Sequence, residues 1–262
     1  MMAELAPPAF NTLLLQVDGG IGRLTLNRPN KLNALSPATM QEIIAACRWL
    51  GLRDDLRILL LGGAGRSFCG GFDLDVMREG RGSMDRDATD LGRHLIEALE
   101  AIPAITLSLV QGHCVGCGVL LALACDLCIA ADDARFSIPE MELGIPLGWG
   151  GVPRLIRRVG PAVALELVLD CRPFDAQQAL AWRCINRVVP LAELQAEADA
   201  WAQRLATRPL NALRTTKQRF RAAADALCSA AGSEIDADAL LAAYRDPETL
   251  GVQQRYIAAR RG

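Results

Sequence analysis

The chain has 262 residues, with 28 Lys and Arg against 30 Asp and Glu, for a formal net charge of −2; 51% of it is hydrophobic and 22% charged. That balance excludes a mainly disordered chain. A sequence pI near 5.8 excludes a global electrostatic attraction for nucleic acid or an anionic membrane.

Nine cysteines, an odd number, make no disulfide framework and point to a reducing compartment. Met1-Met2-Ala3-Glu4-Leu5-Ala6-Pro7-Pro8 has neither the basic nor the apolar region of a signal peptide, so a cytoplasmic location is expected.

In chain order, residues 12–17 and 21–27 read as two strands joined by Asp18-Gly19-Gly20, which is hairpin chemistry. Arg28-Pro29-Asn30 breaks the second strand. Ser36-Pro37 reads as an N-cap followed by a first-turn proline. Met40, Ile43, Ile44, Cys47 and Leu50 then fall on one helical face. Residues 57–61 form a dense aliphatic run, the mark of a buried strand, closed by Gly62-Gly63-Ala64-Gly65. Residues 80–90 are polar and glycine-containing and read as a mobile surface loop. Leu91, Leu95, Ile96, Leu99 and Ile102 mark an amphipathic helix.

Residues 101–125 carry no formal charge and are long enough to span a bilayer. Pro103, Gln111-Gly112-His113, Gly116 and Gly118 interrupt them, so the stretch reads as a buried strand (104–110), a turn and a buried helix (115–124), with no membrane span. A strand follows at 126–130. The alternation of strands and helices predicts an α/β core with a largely parallel sheet. Beyond about residue 150 helical signals dominate, at 161–170, 175–182, 191–207, 209–230 and 236–259. The expected organisation is an α/β core over 1–190 and a helical region over 191–262 that packs on the core or on another subunit.

Two glycine-bearing turns follow buried strands. They are Ser67-Phe68-Cys69-Gly70-Gly71-Phe72-Asp73-Leu74 and Gln111-Gly112-His113-Cys114-Val115-Gly116-Cys117-Gly118. Turns at the carboxyl ends of parallel strands are the ligand side of such sheets. Two free N–H groups converging on one point make an oxyanion hole; the plain alternative is a pair of tight strand-to-helix turns. Cys114-x-x-Cys117 and Cys125-x-x-Cys128 resemble zinc-knuckle halves, but the apolar helical spacer between them favours ordinary buried cysteines. No nucleophile motif accompanies His94 or His113; His94 reads as a surface group, and His113 lies in the second turn. Glu140 lies among apolar residues, a setting that raises a carboxyl pKa and suits a general base. A glutamate favoured at a helix start is the plain alternative.

Taken together, Asn27-Arg28-Pro29-Asn30-Lys31-Leu32-Asn33-Ala34-Leu35, the 67–74 and 112–118 turns, Ala124-Cys125-Asp126 and Phe136-Ser137-Ile138-Pro139-Glu140-x-x-x-Gly144 resemble the enoyl-CoA hydratase/isomerase (crotonase) superfamily. Residues 148–155 and 172–176 extend the likeness over nearly the whole chain. The resemblance implies a spiral of ββα units with a C-terminal helical region that builds a homotrimer or a dimer of trimers. It implies an acyl-CoA thioester substrate and enolate stabilisation, with no separate cofactor, since CoA enters as part of the substrate.

Carried over by position, the oxyanion amides belong to Phe72 and Cys117 and the acid/base to Glu140. Lys31, Leu32, Ala34, Gly70 and Leu74 line the path of CoA. Gly116, Leu120, Pro139 and Gly148 belong to the acyl-CoA site, and Asp73 holds its loop. Hydratases of the family use two glutamates; the first falls on Leu120, which cannot titrate. The resemblance therefore points to a Δ3,Δ2-enoyl-CoA isomerase with a single base, with a hydratase or a non-catalytic acyl-CoA-binding paralogue as alternatives. Gly148 stands where dienoyl-isomerase and dehalogenase branches carry an aspartate.

Overall fold

A computed structural model of the chain describes residues 8–79 and 85–259. The fold is α/β, built on a six-stranded sheet in the order β1-β2-β3-β4-β6-β9. β1 (Leu13–Asp18) and β2 (Ile21–Leu26) form the expected antiparallel hairpin through Gly19 and Gly20, both at positive φ. β3 (Ile58–Gly63), β4 (Ile105–Val110), β6 (Leu127–Ala131) and β9 (Arg187–Val189) continue the sheet in parallel. β5 (His113–Val115), β7 (Arg135–Ser137) and β8 (Phe174–Asp175) make a small second sheet beside it.

A short helix, α2 (Leu74–Glu79), follows β3, and the aliphatic run in β3 itself reflects burial on both faces. Leu59 and Leu61 pack into the main core with Met40, Ile43 and Leu50 of α1 (Pro37–Gly51), Leu95 and Leu99 of α3 (Arg86–Glu100) and Leu121 of α4 (Cys117–Ala124). Ile58 and Leu60 point the other way, onto Leu194, Ala198 and Trp201 of α7 (Leu194–Ala206). With side chains alternating across the pleat, a strand covered on both faces must be apolar at every position. α1 starts as expected, with Ser36 Oγ accepting from Thr39 N and Pro37 in the first turn. The apolar 101–125 stretch resolves into β4, β5 and the fully buried α4. No helix among the described residues is long and apolar enough to cross a membrane.

Several sequence expectations are corrected. Residues 86–90 are helical, because Asp85 caps α3 by accepting from Ala88 N; residues 80–84 of the expected loop lie outside the described residues. The helix expected from 161 begins ten residues earlier, as α5 (Gly151–Asp170), and kinks at Gly160 (φ 78°, ψ 164°) before Pro161. Residues 236–259 form two helices, α9 (Ile235–Ala243) and α10 (Pro247–Ala259), split where Pro247 can start a helix but not continue one. α6 (Ala176–Ala181) carries the capping box of Asp175 and Gln178, and α8 (Leu210–Leu227) is shorter than 209–230. β5, β7, β8 and β9 are too short to show a period in sequence.

Candidate active site

The two glycine-bearing turns follow β3 and β4 and are tied to each other. Phe68 N donates to Gln111 O, Cys69 N to His113 O, and Val115 N to Cys69 O. The second turn is tied in turn to β7, where Gly116 N donates to Ser137 O at 2.8 Å. One hydrogen-bonded ladder thus fixes Phe72, Cys117 and Glu140, each one to three residues beyond a tie.

Glycine is required where these backbones touch. A Cβ on Gly112 (φ 53°) would lie 2.0 Å from Arg66 O, and one on Gly116 (φ 53°) would lie 2.8 Å from Glu140 Oε1. The glutamate carboxylate therefore sits directly over the turn that starts α4.

On the first turn, Leu35 N donates to Gly71 O and Asp73 N to Leu35 O, which leaves the Phe72 N–H between them without a backbone partner among the described residues. Cys117 is the first residue of α4, after a Gly116 cap that supplies no side chain, and an N–H in the first turn has no intrahelical acceptor. Phe72 and Cys117 both line one cavity of about 460 Å³, together with Glu140. Arg28 holds the first turn: its Nη2 pairs with Asp73 Oδ2 at 2.8 Å and its Nη1 donates to Ala34 O at 2.6 Å. Asp73 also accepts from Asp75 N.

Glu140 opens a short 3₁₀ turn (Met141–Leu143), and its carbonyl accepts from Leu143 N and Ile145 N. The turn is locked from α10, where Thr249 Oγ1 donates to Gly144 O at 3.0 Å. The residue as a whole is half-buried, but its Oε2 is fully enclosed and has no hydrogen-bond partner among the described residues. Burial pushes its carboxyl up to about 7, from an ordinary 4.5, against a smaller lowering by its own backbone N–H. Among the described residues that line the cavity, Glu140 is the only carboxylate. Burial likewise pushes the Cys117 thiol well up, and Tyr244 up to about 12, so both stay protonated near neutrality.

Of the residues singled out in sequence, Leu32, Gly70, Phe72, Leu74, Gly116, Cys117, Leu120, Pro139, Glu140 and Gly148 line this cavity. Lys31, Ala34 and Asp73 do not: Lys31 Nζ pairs with Asp75 at the surface, while Ala34 and Asp73 take part in the Arg28 brace. Leu120 is buried and packs on Gly151, whose Cβ would lie 2.9 Å from Leu120 Cδ2. Gly148 faces Leu240 of α9, 2.7 Å from a hypothetical Cβ, which leaves no room there for an aspartate in this packing.

Several lining residues carry no site signal of their own in sequence: Ala88 and Thr89 of α3, Trp149, Leu240 of α9, Tyr244 just past its end, and Tyr256 of α10. They come from segments far apart in the chain, brought together by packing. Cys114, Cys117, Cys125 and Cys128 are all buried and free, and no group of three or more His, Cys, Asp or Glu able to hold a metal forms among the described residues.

Comparison with known proteins identifies the family and the fold. The enoyl-CoA hydratase/isomerase family profile matches residues 16–254. A probable enoyl-CoA hydratase of Mycobacterium tuberculosis is 35% identical over 209 residues, which cover 80% of each chain. A second, from Mycobacterium avium, is 37% identical over 200 residues, covering 76% of this chain and 77% of that protein. Among solved structures, an enoyl-CoA hydratase/isomerase from Xanthobacter autotrophicus superposes with a TM-score of 0.87 at 28% identity, covering 97% of this chain and 98% of that one. An enoyl-CoA hydratase from Mycobacterium avium subsp. paratuberculosis does so with a TM-score of 0.87 at 26% identity, covering 96% and 98%. By the extent of the family match, by its relatives and by its fold, the chain belongs to the enoyl-CoA hydratase/isomerase family of the crotonase superfamily.

Proposed function

We propose that the protein shifts the double bond of an enoyl-CoA thioester between the 3,4 and 2,3 positions, with Glu140 as the only acid/base. Glu140 takes a proton from C2, the charge moves onto the thioester oxygen, and the protonated Glu140 returns the proton at C4. The Phe72 and Cys117 amides donate to the thioester oxygen. Donors held in place before the reaction stabilise the enolate most when its charge is full, which lowers the barrier. A carboxyl whose pKa is near neutrality is matched to both halves of the shuttle.

The observation that carries the reading is that Glu140 is the single carboxylate among the described residues lining the cavity. Water addition needs one group to activate water and a second to handle its protons; Leu120, at the family's other glutamate position, offers neither. Leu32, Gly70 and Leu74 line the CoA path, with Lys31 and Ala34 on the segment leading to it. The acyl chain lies against Leu120, Pro139 and Gly148. A homotrimer or dimer of trimers is proposed with it. The names of the relatives favour a second reading, an enoyl-CoA hydratase.

Parallel incubation with 3-enoyl-CoA and 2-enoyl-CoA, with products identified, separates the two. Interconversion of the two enoyl thioesters is expected; 3-hydroxyacyl-CoA as the main product from 2-enoyl-CoA would overturn the isomerase reading in favour of the hydratase. Leu120→Glu is expected to raise hydration above that of the parent, measured by 3-hydroxyacyl-CoA formation.

A further inference from the structure

We propose that Trp149, seated in a notch on α3 left by Gly92, sets the length of acyl chain the cavity accepts. The inference rests on the acyl-CoA reading above and adds to it the residue pair that decides substrate length.

The indole lies between the cavity, which it lines, and α3. A Cβ built on Gly92 would fall 1.8 Å from Trp149 Cε2 and 2.0 Å from Cδ2. No other residue type at 92 leaves the ring where it is. One turn earlier on the same face of α3, Ala88 and Thr89 are themselves part of the cavity wall, so the ring covers ground that α3 would otherwise open to the ligand.

The backbone supports the same conclusion. Trp149 has φ 58°, a left-handed conformation that a bulky side chain rarely adopts and that marks a functional constraint when it persists. It persists because the turn is clamped. Arg154, 4% exposed, donates from Nη1 to Trp149 O and Gly150 O, and its Nε and Nη2 grip Glu100 of α3 at 2.7 and 2.6 Å. Asp236 of α9 accepts from Gly150 N at 2.7 Å. A buried arginine, a carboxylate on α3 and another on α9 thus hold one aromatic ring at the cavity wall.

The wall around it is apolar: Leu120, Leu147, Leu240 and Trp149 meet there. That composition suits hydrocarbon, whereas the polar CoA moiety belongs at the Leu32 and Gly70 side. An acyl chain grows along this wall until it meets the ring. Each further methylene buried before that point is worth about fourfold in affinity; beyond it the gain stops.

The test is calorimetric binding of saturated acyl-CoA thioesters, from butyryl to dodecanoyl, to the wild type and to three variants. In Trp149→Ala the chain length at which affinity stops rising moves to longer chains. In Gly92→Ala the new methyl drives the ring into the cavity and the limit moves to shorter chains. The double variant behaves as Trp149→Ala, because no ring remains to be displaced; a merely destabilising glycine substitution would not be rescued this way. Free CoA binds all four proteins alike. If the wild type binds the thioesters and Trp149→Ala keeps its length limit, the Trp149 assignment falls while the acyl-CoA reading stands. If the wild type binds none of them, the acyl-CoA reading falls and this inference with it.

Discussion

Glu140 combines an enclosed, unpartnered Oε2 with a carboxyl raised to about 7, and both properties have measurable consequences. As a base it must be ionised, so kcat/KM should fall about tenfold per pH unit below that value, since only the deprotonated fraction reacts. A pH–rate profile flat down to the ordinary carboxylate range would contradict the assignment. The same shift acts on stability in a defined direction. The folded state holds this proton to a higher pH than the unfolded state, so stability is present below the ordinary pKa and is lost as pH rises from 4.5 to about 7. The loss is on the order of 3 kcal/mol. Glu140→Gln should therefore abolish turnover, leave acyl-CoA binding in place, and raise Tm near pH 8 but not near pH 4. Thermal melts at the two pH values check the last point.

Cys117 is tested at the same scale. Proline is accommodated in the first turn of a helix and lacks only the N–H, so Cys117→Pro should cost roughly 10²- to 10³-fold in kcat. Cys117→Ala, which keeps the amide, should retain activity. Equal losses in the two would point to the thiol instead. That Phe72, Cys117 and Glu140 meet at one cavity was legible through the family resemblance of the motifs that carry them. Trp149 and Tyr244 were not, since their place at the cavity comes from α3, α5 and α9 packing together.

Between residue and fold stand the tied turns, which make the site one unit. Gly112 carries the tightest demand among them, at φ 53° with Arg66 O 2.0 Å from a hypothetical Cβ. Gly112→Ala should destabilise the protein by more than about 2 kcal/mol, from left-handed strain and the clash together; denaturant unfolding reads it directly, and a change within experimental error would contradict the ladder. The elements themselves were readable to different depths. The hairpin, α1, β3 and β4 carry caps, turn residues or long apolar runs. β9 is three residues of half-buried Arg187, Val188 and Val189, with no period to detect. The start of α5 is hidden by Gly150-Gly151 and Pro153, which punctuate a sequence even where a helix has begun.

Across the whole molecule, the helices from α7 to α10 serve two faces. α7 covers the sheet against Ile58 and Leu60, whereas α9 and α10 fold back over the cavity through Leu240, Tyr244 and Tyr256. α8 does neither: it has no buried residue and leaves Phe220 75% and Leu227 87% exposed. In the proposed trimer this outer surface meets the neighbouring subunit. Phe220→Asp with Leu227→Asp should lower the sedimentation coefficient to that of a monomer without unfolding the chain, because neither residue belongs to its core. A wild type that sediments as a monomer would contradict the assembly.

In the proposed reaction Glu140 and the two turn amides act together on a thioester, whichever product follows. Exchange of the C2 protons of a saturated acyl-CoA into D2O, followed by NMR, measures that step alone. The wild type should catalyse the exchange and Glu140→Gln should not. Exchange that survives Glu140→Gln, or that the wild type does not catalyse, would contradict it.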